Sequence, residues 1–243
     1  MFYQAKKYLK PLLDVAERNL TGIITHVMTD DPIVSLTFDD GPDPIYTPKV
    51  LDVLEKYDTR ATFFMVGEAA HRHPYIVERV ARDGHIIGNH SWNHYAFPYI
   101  SSVERWKQLR KCQQAINPYG LRLFRPPYGL NNKMSSIELL LQGYKVIGWS
   151  LDSQDWFETN SKLMMDNFVE NISPGSIILM HDQIFDRGKP VNGPKQIQDA
   201  EIDRGSMLIA LRELLERMNA NINFVTIPVL LQHGRPHRDA LQA

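Results

Sequence analysis

The chain has 243 residues, enough for one sizeable core, and its composition (43% hydrophobic, 23% charged) is ordinary for a globular domain. Its 27 basic and 28 acidic residues give a net charge of -1, so the overall charge attracts neither nucleic acid nor anionic membranes. We therefore expect no nucleic-acid partner. The single cysteine, Cys112, excludes an intrachain disulfide, and its amphipathic helical surroundings indicate a packing role.

The chain divides into three parts in our interpretation. Residues 1–32 are predicted to be an N-terminal helical extension, residues 33–230 the main folded domain, and residues 231–243 a C-terminal tail. Residues 1–20 contain no uninterrupted apolar run, because Pro11 and Asp14 break it, so they have the pattern of neither a secretory leader nor a membrane span. A cytoplasmic location is therefore the default expectation, and the oligomeric state is left open.

Short strand-like runs alternate with helical patterns along the main domain. Most of the runs carry apolar residues on both faces, as expected for strands covered on both sides. This alternation predicts an α/β fold, specifically a distorted (β/α) barrel with about seven parallel strands, and a doubly wound open sheet is the alternative. The predicted strands are 33–38, 61–66, 85–89, 121–125, 144–149, 176–180 and 223–227.

Several helices have recognisable starts between these strands. Pro74 is expected to open one helix, because proline suits the first helical turn. Ser101 with Glu104, and Ser135 with Glu138, have the spacing of capping boxes and predict two further helix starts.

Polar residues recur directly after the predicted strands. The carboxyl ends of parallel strands share one rim of a barrel, so we expect these residues to converge on one cavity. They are Asp39, Asp40, His90, His94, Arg125, Asp155 and His181.

Two of these segments predict a metal site. In HSWNH, His90 and His94 are four residues apart, so in a helical turn both rings would face one cation. In TFDDGPD, Asp39 and Asp40 end a buried strand, where two carboxylates need a cation or a proton; a simple turn is the alternative. Two imidazoles and one carboxylate form the ligand set of catalytic zinc, which also suits Co, Ni, Mn or Fe(II). The spacing does not decide which aspartate is the ligand.

The remaining motifs supply further polar groups. In RPPYG, Arg125 precedes a stiff turn whose first free backbone donor is on Tyr128, a candidate for oxyanion stabilisation. DSQDW adds Asp155, and ILMHD adds His181, which becomes a candidate general acid if a carboxylate keeps it protonated. A structural turn and a core histidine are the alternatives.

TFDDGP, HSWNH, RPPYG, DSQDW and LMH, in this order, resemble the five motifs of the polysaccharide deacetylases, carbohydrate esterase family 4 (the NodB-homology domain). The similarity covers about residues 33–228. It implies a distorted (β/α) barrel and a divalent metal ion, with zinc as the first choice. It also implies hydrolysis of N-acetyl groups on carbohydrates that contain N-acetylglucosamine.

The resemblance also implies individual roles. Asp40, His90 and His94 match the metal ligands, and Asp39 matches the general base. His181 matches the general acid, Asp155 the carboxylate that tunes it, and Arg125 the arginine that holds the base. The backbone N–H of Tyr128 would stabilise the oxyanion, and Trp156 and Leu179 would line the pocket for the acetyl methyl group.

Alternative functions remain open at this point. An O-acetyl esterase acting on xylan and an amidase acting on a small or lipid-linked amino sugar share the same motifs. A non-catalytic carbohydrate-binding protein is an alternative of another class. The long polar stretch 185–205 is expected to form a loop near the rim that narrows or covers the cleft.

Overall fold

The computed structural model describes residues 21–185 and 203–239 of the chain. The strands are β1 (Ile23–Met28), β2 (Ile33–Asp39), β3 (Thr62–Met65), β4 (Ile86–Asn89), β5 (Gly120–Phe124), β6 (Lys145–Val146), β7 (Leu151–Asp152), β8 (Ile177–His181), β9 (Asn223–Phe224) and β10 (Arg235–Asp239). The helices are α1 (Tyr46–Lys56), α2 (Gly67–Arg72), α3 (Pro74–Arg82), α4 (Ser102–Ile116), α5 (Lys133–Leu141), α6 (Ser161–Asn171), α7 (Gly205–Met218) and α8 (Ile227–Leu230). Each of the seven predicted strands has a counterpart in this order.

The main sheet is parallel and forms a distorted half-barrel with helices packed on its outer face. Its strand order is β6-β5-β4-β3-β2-β8-β7, and β9 pairs with the start of β2. The fold class predicted from the sequence is therefore confirmed. The predicted strand 144–149 is divided: Ile147 donates a backbone hydrogen bond to Phe124 in β5, whereas Ser150 donates one to Ile177 in β8. One short segment thus leaves one edge of the sheet and joins the other.

Side-chain alternation along β2 determines what reaches the barrel interior. Leu36 and Phe38 belong to the large core cluster between the sheet and the helices. Thr37 and Asp39 occupy the alternate positions, so they face the interior of the barrel. A second apolar cluster fills the interior below them and includes Ile24, Val27, Ile33, Phe64, Leu123, Ile147, Ile177, Ile227 and Leu230. The polar residues at the carboxyl end of β2 therefore lie above an apolar layer of the barrel interior.

The described part of the N-terminal extension begins in a helix at Thr21 and continues as a strand. Residues 23–28 form β1, which pairs antiparallel with β10, so the predicted helix is wrong for this segment. Ile23, Ile24 and Val27 are buried, and β-branched residues of this kind favour a strand that packs against the barrel. Residues 1–20 lie outside the described ranges, as do residues 240–243 of the predicted tail. Within residues 21–185 and 203–239, no helix is long and apolar enough to cross a bilayer.

The helix starts and the cysteine test the local predictions. The Ser101 side chain accepts a hydrogen bond from the Glu104 backbone at 3.2 Å, as predicted. The second predicted capping box is wrong, because Asn132 caps α5 and Ser135 is its partner in the box. The Cys112 thiol is buried and contacts the Met65 carbonyl at 3.3 Å. Burial raises the pKa of this thiol to about 12, which confirms a packing role.

Candidate active site

The polar residues predicted to converge do meet at the carboxyl rim of the sheet. Asp39 and His181 are the last residues of the neighbouring strands β2 and β8. His90 and Arg125 directly follow β4 and β5, and Asp155 follows β7 by three residues. Six of the seven predicted residues are buried, and His181 is partly buried. The parallel topology has therefore gathered chemistry from five separate segments.

Asp40, His90 and His94 form a group that can hold one metal ion. The Oδ1 atom of Asp40 lies 3.4 Å from His90 Nε2 and 3.3 Å from His94 Nε2, and the two Nε2 atoms are 3.1 Å apart. Ligands at 2.0–2.1 Å from a tetrahedral ion lie about 3.3 Å from one another. Within the described residues this buried Oδ1 atom has no hydrogen-bond partner. The donor set and its spacing therefore fit a divalent cation.

The backbone that presents the two histidines is not the predicted helical turn. Ser91 and His94 have left-handed φ angles of 67° and 61°, and the segment is a loop. Ser91 donates its N–H to Asn89 Oδ1 at 2.9 Å, and His94 donates its N–H to Ser91 Oγ at 3.0 Å. These local side-chain bonds replace helical ones. The ring of His90 is oriented by the Arg125 carbonyl, 2.8 Å from its Nδ1 atom, which leaves Nε2 for a ligand.

The protonation states of this group suit a cation. Burial lowers the pKa of His94 to about 4, so its ring is neutral at pH 7. Burial alone raises the pKa of Asp40, but the neighbouring His94 and His90 more than offset it and hold the pKa below its usual range. An ionised carboxylate beside a neutral imidazole is the state in which Asp40 and His94 can bind a metal ion.

The second aspartate is held differently. Asp39 Oδ1 accepts a hydrogen bond from Arg125 Nη1 at 2.7 Å, and Asp39 Oδ2 lies 3.8 Å from His90 Nε2. Arg125 is fully buried and also donates to Thr37 Oγ1 and to the Gly148 carbonyl, both at 2.7 Å. The structure thus distinguishes the two carboxylates that the sequence spacing left equivalent. Asp40 lies close to both histidines, whereas Asp39 is hydrogen-bonded to Arg125.

His181 and Asp155 form a close pair on the neighbouring side. His181 Nδ1 lies 2.8 Å from Asp155 Oδ1, and the His181 backbone N–H donates to Asp155 Oδ2 at 2.9 Å. Ser153 Oγ also donates to Asp155 Oδ1 at 2.9 Å. Burial lowers the pKa of His181, but the charge and hydrogen bond of Asp155 outweigh it and raise the pKa to about 9. The imidazole therefore carries a proton at neutral pH.

Two residues of the site were missed by sequence reasoning, and both flank the segment 186–202 that lies outside the described residues. The Phe185 backbone N–H donates to Asp40 Oδ2 at 2.8 Å, which leaves Oδ1 for the histidine side. Arg204 is buried and donates to Asp155 and to the His181 carbonyl. Arg204 lies in a polar stretch outside the recognised motifs, so no local sequence pattern marked it.

The three predicted substrate-contact residues lie near the same rim. Tyr128 has a left-handed φ of 59° in the turn Pro127–Gly129, and its ring centroid is 4.5 Å from that of His94. Leu179 is buried in β8, two residues before His181. Trp156 is 54% exposed and packs against Phe157. The predicted lid over residues 185–205 lies mostly outside the described ranges.

A buried carboxylate-and-imidazole triad flanked by an arginine-held acid and a histidine–aspartate pair defines the class: a candidate metal-dependent hydrolase centre. The sequence profile described as polysaccharide deacetylase matches residues 26–147. A peptidoglycan-N-acetylglucosamine deacetylase of Bacillus cereus is 35% identical over 200 residues, which are 80% of this chain and 94% of that relative. The chain therefore belongs to the polysaccharide deacetylase family.

Further relatives agree with this assignment. A chitooligosaccharide deacetylase of Sinorhizobium fredii is 34% identical over 158 residues, which are 63% of this chain and 74% of that relative. The matched region spans 55% of a second Bacillus cereus peptidoglycan-N-acetylglucosamine deacetylase and 32% of the peptidoglycan-N-acetylglucosamine deacetylase PgdA of Listeria monocytogenes, so some relatives are considerably longer. The crystal structure of the Bc1960 peptidoglycan N-acetylglucosamine deacetylase has a TM-score of 0.76 at 29% identity and covers 89% of this chain and 96% of that one.

Proposed function

We propose that this chain hydrolyses the acetamido group of N-acetylglucosamine residues in a poly- or oligosaccharide and releases acetate and a free amine. The observation that carries the proposal is the metal-ligand triad placed between two differently held proton-transfer groups, Asp39 and His181. Family membership and the substrates in the relatives' names support the same reaction.

Zinc is the metal that we propose for the site, at Asp40, His90 and His94. The spacing of 3.1–3.4 Å between the ligand atoms and the neutral histidine supports it. When bound, a divalent ion supplies Lewis acidity toward an acetyl carbonyl and a water molecule. The same donors accept cobalt, nickel, manganese or ferrous ion, so metal analysis of protein purified without added metal tests the choice.

Two residues transfer protons in the proposed reaction. Asp39 accepts the proton of the attacking water, and the hydrogen bond from Arg125 holds this carboxylate in place. His181 donates its proton to the departing sugar nitrogen, since Asp155 keeps the ring charged. The backbone N–H of Tyr128 donates to the oxyanion of the tetrahedral intermediate. Trp156 and Leu179 contact the acetyl methyl group, which restricts the site to a small acyl chain.

Acetate release across a substrate panel tests this function. The panel contains chitooligosaccharides, peptidoglycan fragments, acetylxylan, an aryl acetate and simple acetamides, each with zinc, cobalt or nickel. We expect release from the N-acetylated glycans and loss of that release after chelation. Much faster release from acetylxylan and the aryl acetate would instead show an O-acetyl esterase, and selective hydrolysis of a small acetamide would show an amidase.

A non-catalytic carbohydrate-binding protein is the alternative of a different class. It predicts glycan binding without acetate release under every metal condition. The site argues against it because the ligands, the proposed base and the proposed acid are all present and in contact with their partners.

A further inference from the structure

Arg204 stands immediately before α7, where the chain returns from the segment after β8. Only 3% of this residue is exposed. Among the described residues, its guanidinium donates to two: Nη2 donates to Asp155 Oδ2, Nη1 to the Asp155 carbonyl at 2.8 Å, and Nε to the His181 carbonyl at 3.2 Å. The guanidinium therefore connects the two members of the histidine–aspartate pair through both side chain and backbone.

The contacts of Asp155 show what the arginine adds. Its Oδ1 atom faces the His181 ring and the Ser153 hydroxyl, and its Oδ2 atom accepts from the His181 backbone and from Arg204. Four donors in fixed directions leave the carboxylate one orientation. Because the His181 ring is held through Nδ1 by this carboxylate, the direction of its other nitrogen is fixed as well.

The position of Arg204 is otherwise unfavourable. A buried guanidinium loses its hydration, and the amino end of a helix repels a cation. The preceding residue, Asp203, stabilises the turn around Arg204. Its Oδ1 atom accepts hydrogen bonds from Tyr46 Oη and from the Gly205 backbone, both at 2.8 Å. The local fold thus directs a costly charge specifically toward Asp155 and His181.

We propose that Arg204 is a positioning residue for the general acid, fixing Asp155 and the His181 backbone so that the imidazole meets the departing amine. The proposal rests on the proposed function, in which His181 is the proton donor. It extends the site to the far end of the segment that follows β8.

The sign of the charge effect distinguishes this role from simple packing. The titratable and charged groups that face His181 are Asp39 and Asp40 at the end of β2, His94 after β4, Asp152 and Asp155 after β7, and Arg204 before α7. Four of them are acidic and stabilise the imidazolium, whereas Arg204 is cationic and opposes it. Loss of the arginine charge should therefore raise the pKa of His181, and loss of the Asp155 charge should lower it.

Kinetics of the zinc-loaded protein give the first test. Arg204→Met should lower kcat about 10- to 100-fold through misplacement of the acid, with KM and zinc content unchanged. Arg204→Lys, which retains the charge and one donor, should recover part of the loss. Arg105→Met is the matched control, because Arg105 is equally buried but pairs with Glu138; it should lower thermal stability without a selective loss of kcat.

Titration of His181 by NMR gives a second test that needs no activity. The midpoint should rise by about one pH unit in Arg204→Met and fall by at least as much in Asp155→Asn, with no change in Arg105→Met. Unchanged kcat and an unchanged midpoint in Arg204→Met would overturn the positioning role. A wild-type protein that releases no acetate from any substrate would instead overturn the proposed function, and the titration would still report on Arg204.

Discussion

The two sides of the site use the same pair of residue types for different ends. On one side Asp39 is held by the buried Arg125, and on the other Asp155 is held by the buried Arg204. Asp39 gives one oxygen to its arginine and keeps Oδ2 directed toward the metal-ligand group. Asp155 gives both oxygens to protein donors. In the proposed mechanism, an arginine–aspartate pair therefore serves as a proton acceptor where the second carboxylate oxygen has no protein donor, as in Asp39, and as an anchor where both oxygens have donors, as in Asp155.

The partners of the two arginines differ in the same way. Arg125 directs its remaining donors to Thr37 and to the carbonyls of Ile147 and Gly148, which belong to the barrel wall. Within residues 21–185 and 203–239, the guanidinium of Arg204 donates only to Asp155 and His181. The proposed base, Asp39, is thus held by an arginine that is bonded to the barrel wall. The proposed acid, His181, and its partner Asp155 are instead held by one arginine from a distant segment of the chain.

The largest effect on activity is expected from Asp39→Asn. The amide is nearly the same size but cannot accept a proton from water, so we expect turnover to fall about 100-fold or more. Metal content, measured by elemental analysis, should stay at the wild-type value because Asp40 and the histidines remain. Retained turnover would show that Asp155 or another carboxylate is the base.

His94→Ala separates the ligand group from both proton-transfer sides. Removal of one of three protein ligands should weaken zinc binding at least tenfold, measured by competition with a chelator. Activity should return in part at high zinc concentration. If the zinc affinity and stoichiometry equal those of the wild type, His94 does not belong to the ligand set.

A pH series sharpens the acid side. In the metal-free protein His181 should titrate near pH 9, as followed by NMR, against an ordinary value of 6.5. Because this pKa is raised in the folded state, its stabilising contribution is complete below about pH 6.5 and is lost as the pH rises through about 9. Urea unfolding at both ends of this range should show the loss in the wild type and little of it in Asp155→Asn.

The smallest effect is expected at Trp156. More than half of this side chain is exposed, so Trp156→Ala should change the melting temperature by no more than a few degrees. If the ring contacts substrate, KM for an N-acetylated oligosaccharide should rise several-fold. Phe157→Ala serves as the control, because Phe157 is equally exposed beside it. Equal KM values in Trp156→Ala and the wild type would remove Trp156 from the substrate pocket.

The sequence predicted the main fold because its signal is regular. Apolar strands alternate with helical patterns, and a parallel sheet then gathers Asp39, His90, Arg125 and His181 at one rim whatever their separation along the chain. It failed for β1 and β10, because pairing of distant segments leaves little local pattern. Ile23–Met28 has only six residues, and helical features upstream suggested that the helix continued through it.

The same distinction applies to the site. HSWNH predicted two histidines that the structure places beside Asp40 in a group able to hold a metal ion, but with the wrong backbone. The side chains of Ser91 and Asn89 replace helical hydrogen bonds there, and residue spacing does not reveal this. Arg204 lies outside the recognised motifs, in a polar stretch where one more arginine carries no periodic signal. Its role follows from three-dimensional contacts with Asp155 and His181, which local sequence patterns do not encode.

Arg125 contributes twice to the chemistry through different parts of one residue. Its guanidinium holds Asp39, and its backbone carbonyl orients the His90 ring. A substitution that spares the backbone should therefore disturb the base while the His90 hydrogen bond persists, whereas a shift of the main chain would misalign both at once. Substitutions at Arg204 can therefore change the surroundings of the proposed acid without altering the barrel strands. A change at Arg125 must preserve the backbone path after β5, because that backbone also orients His90.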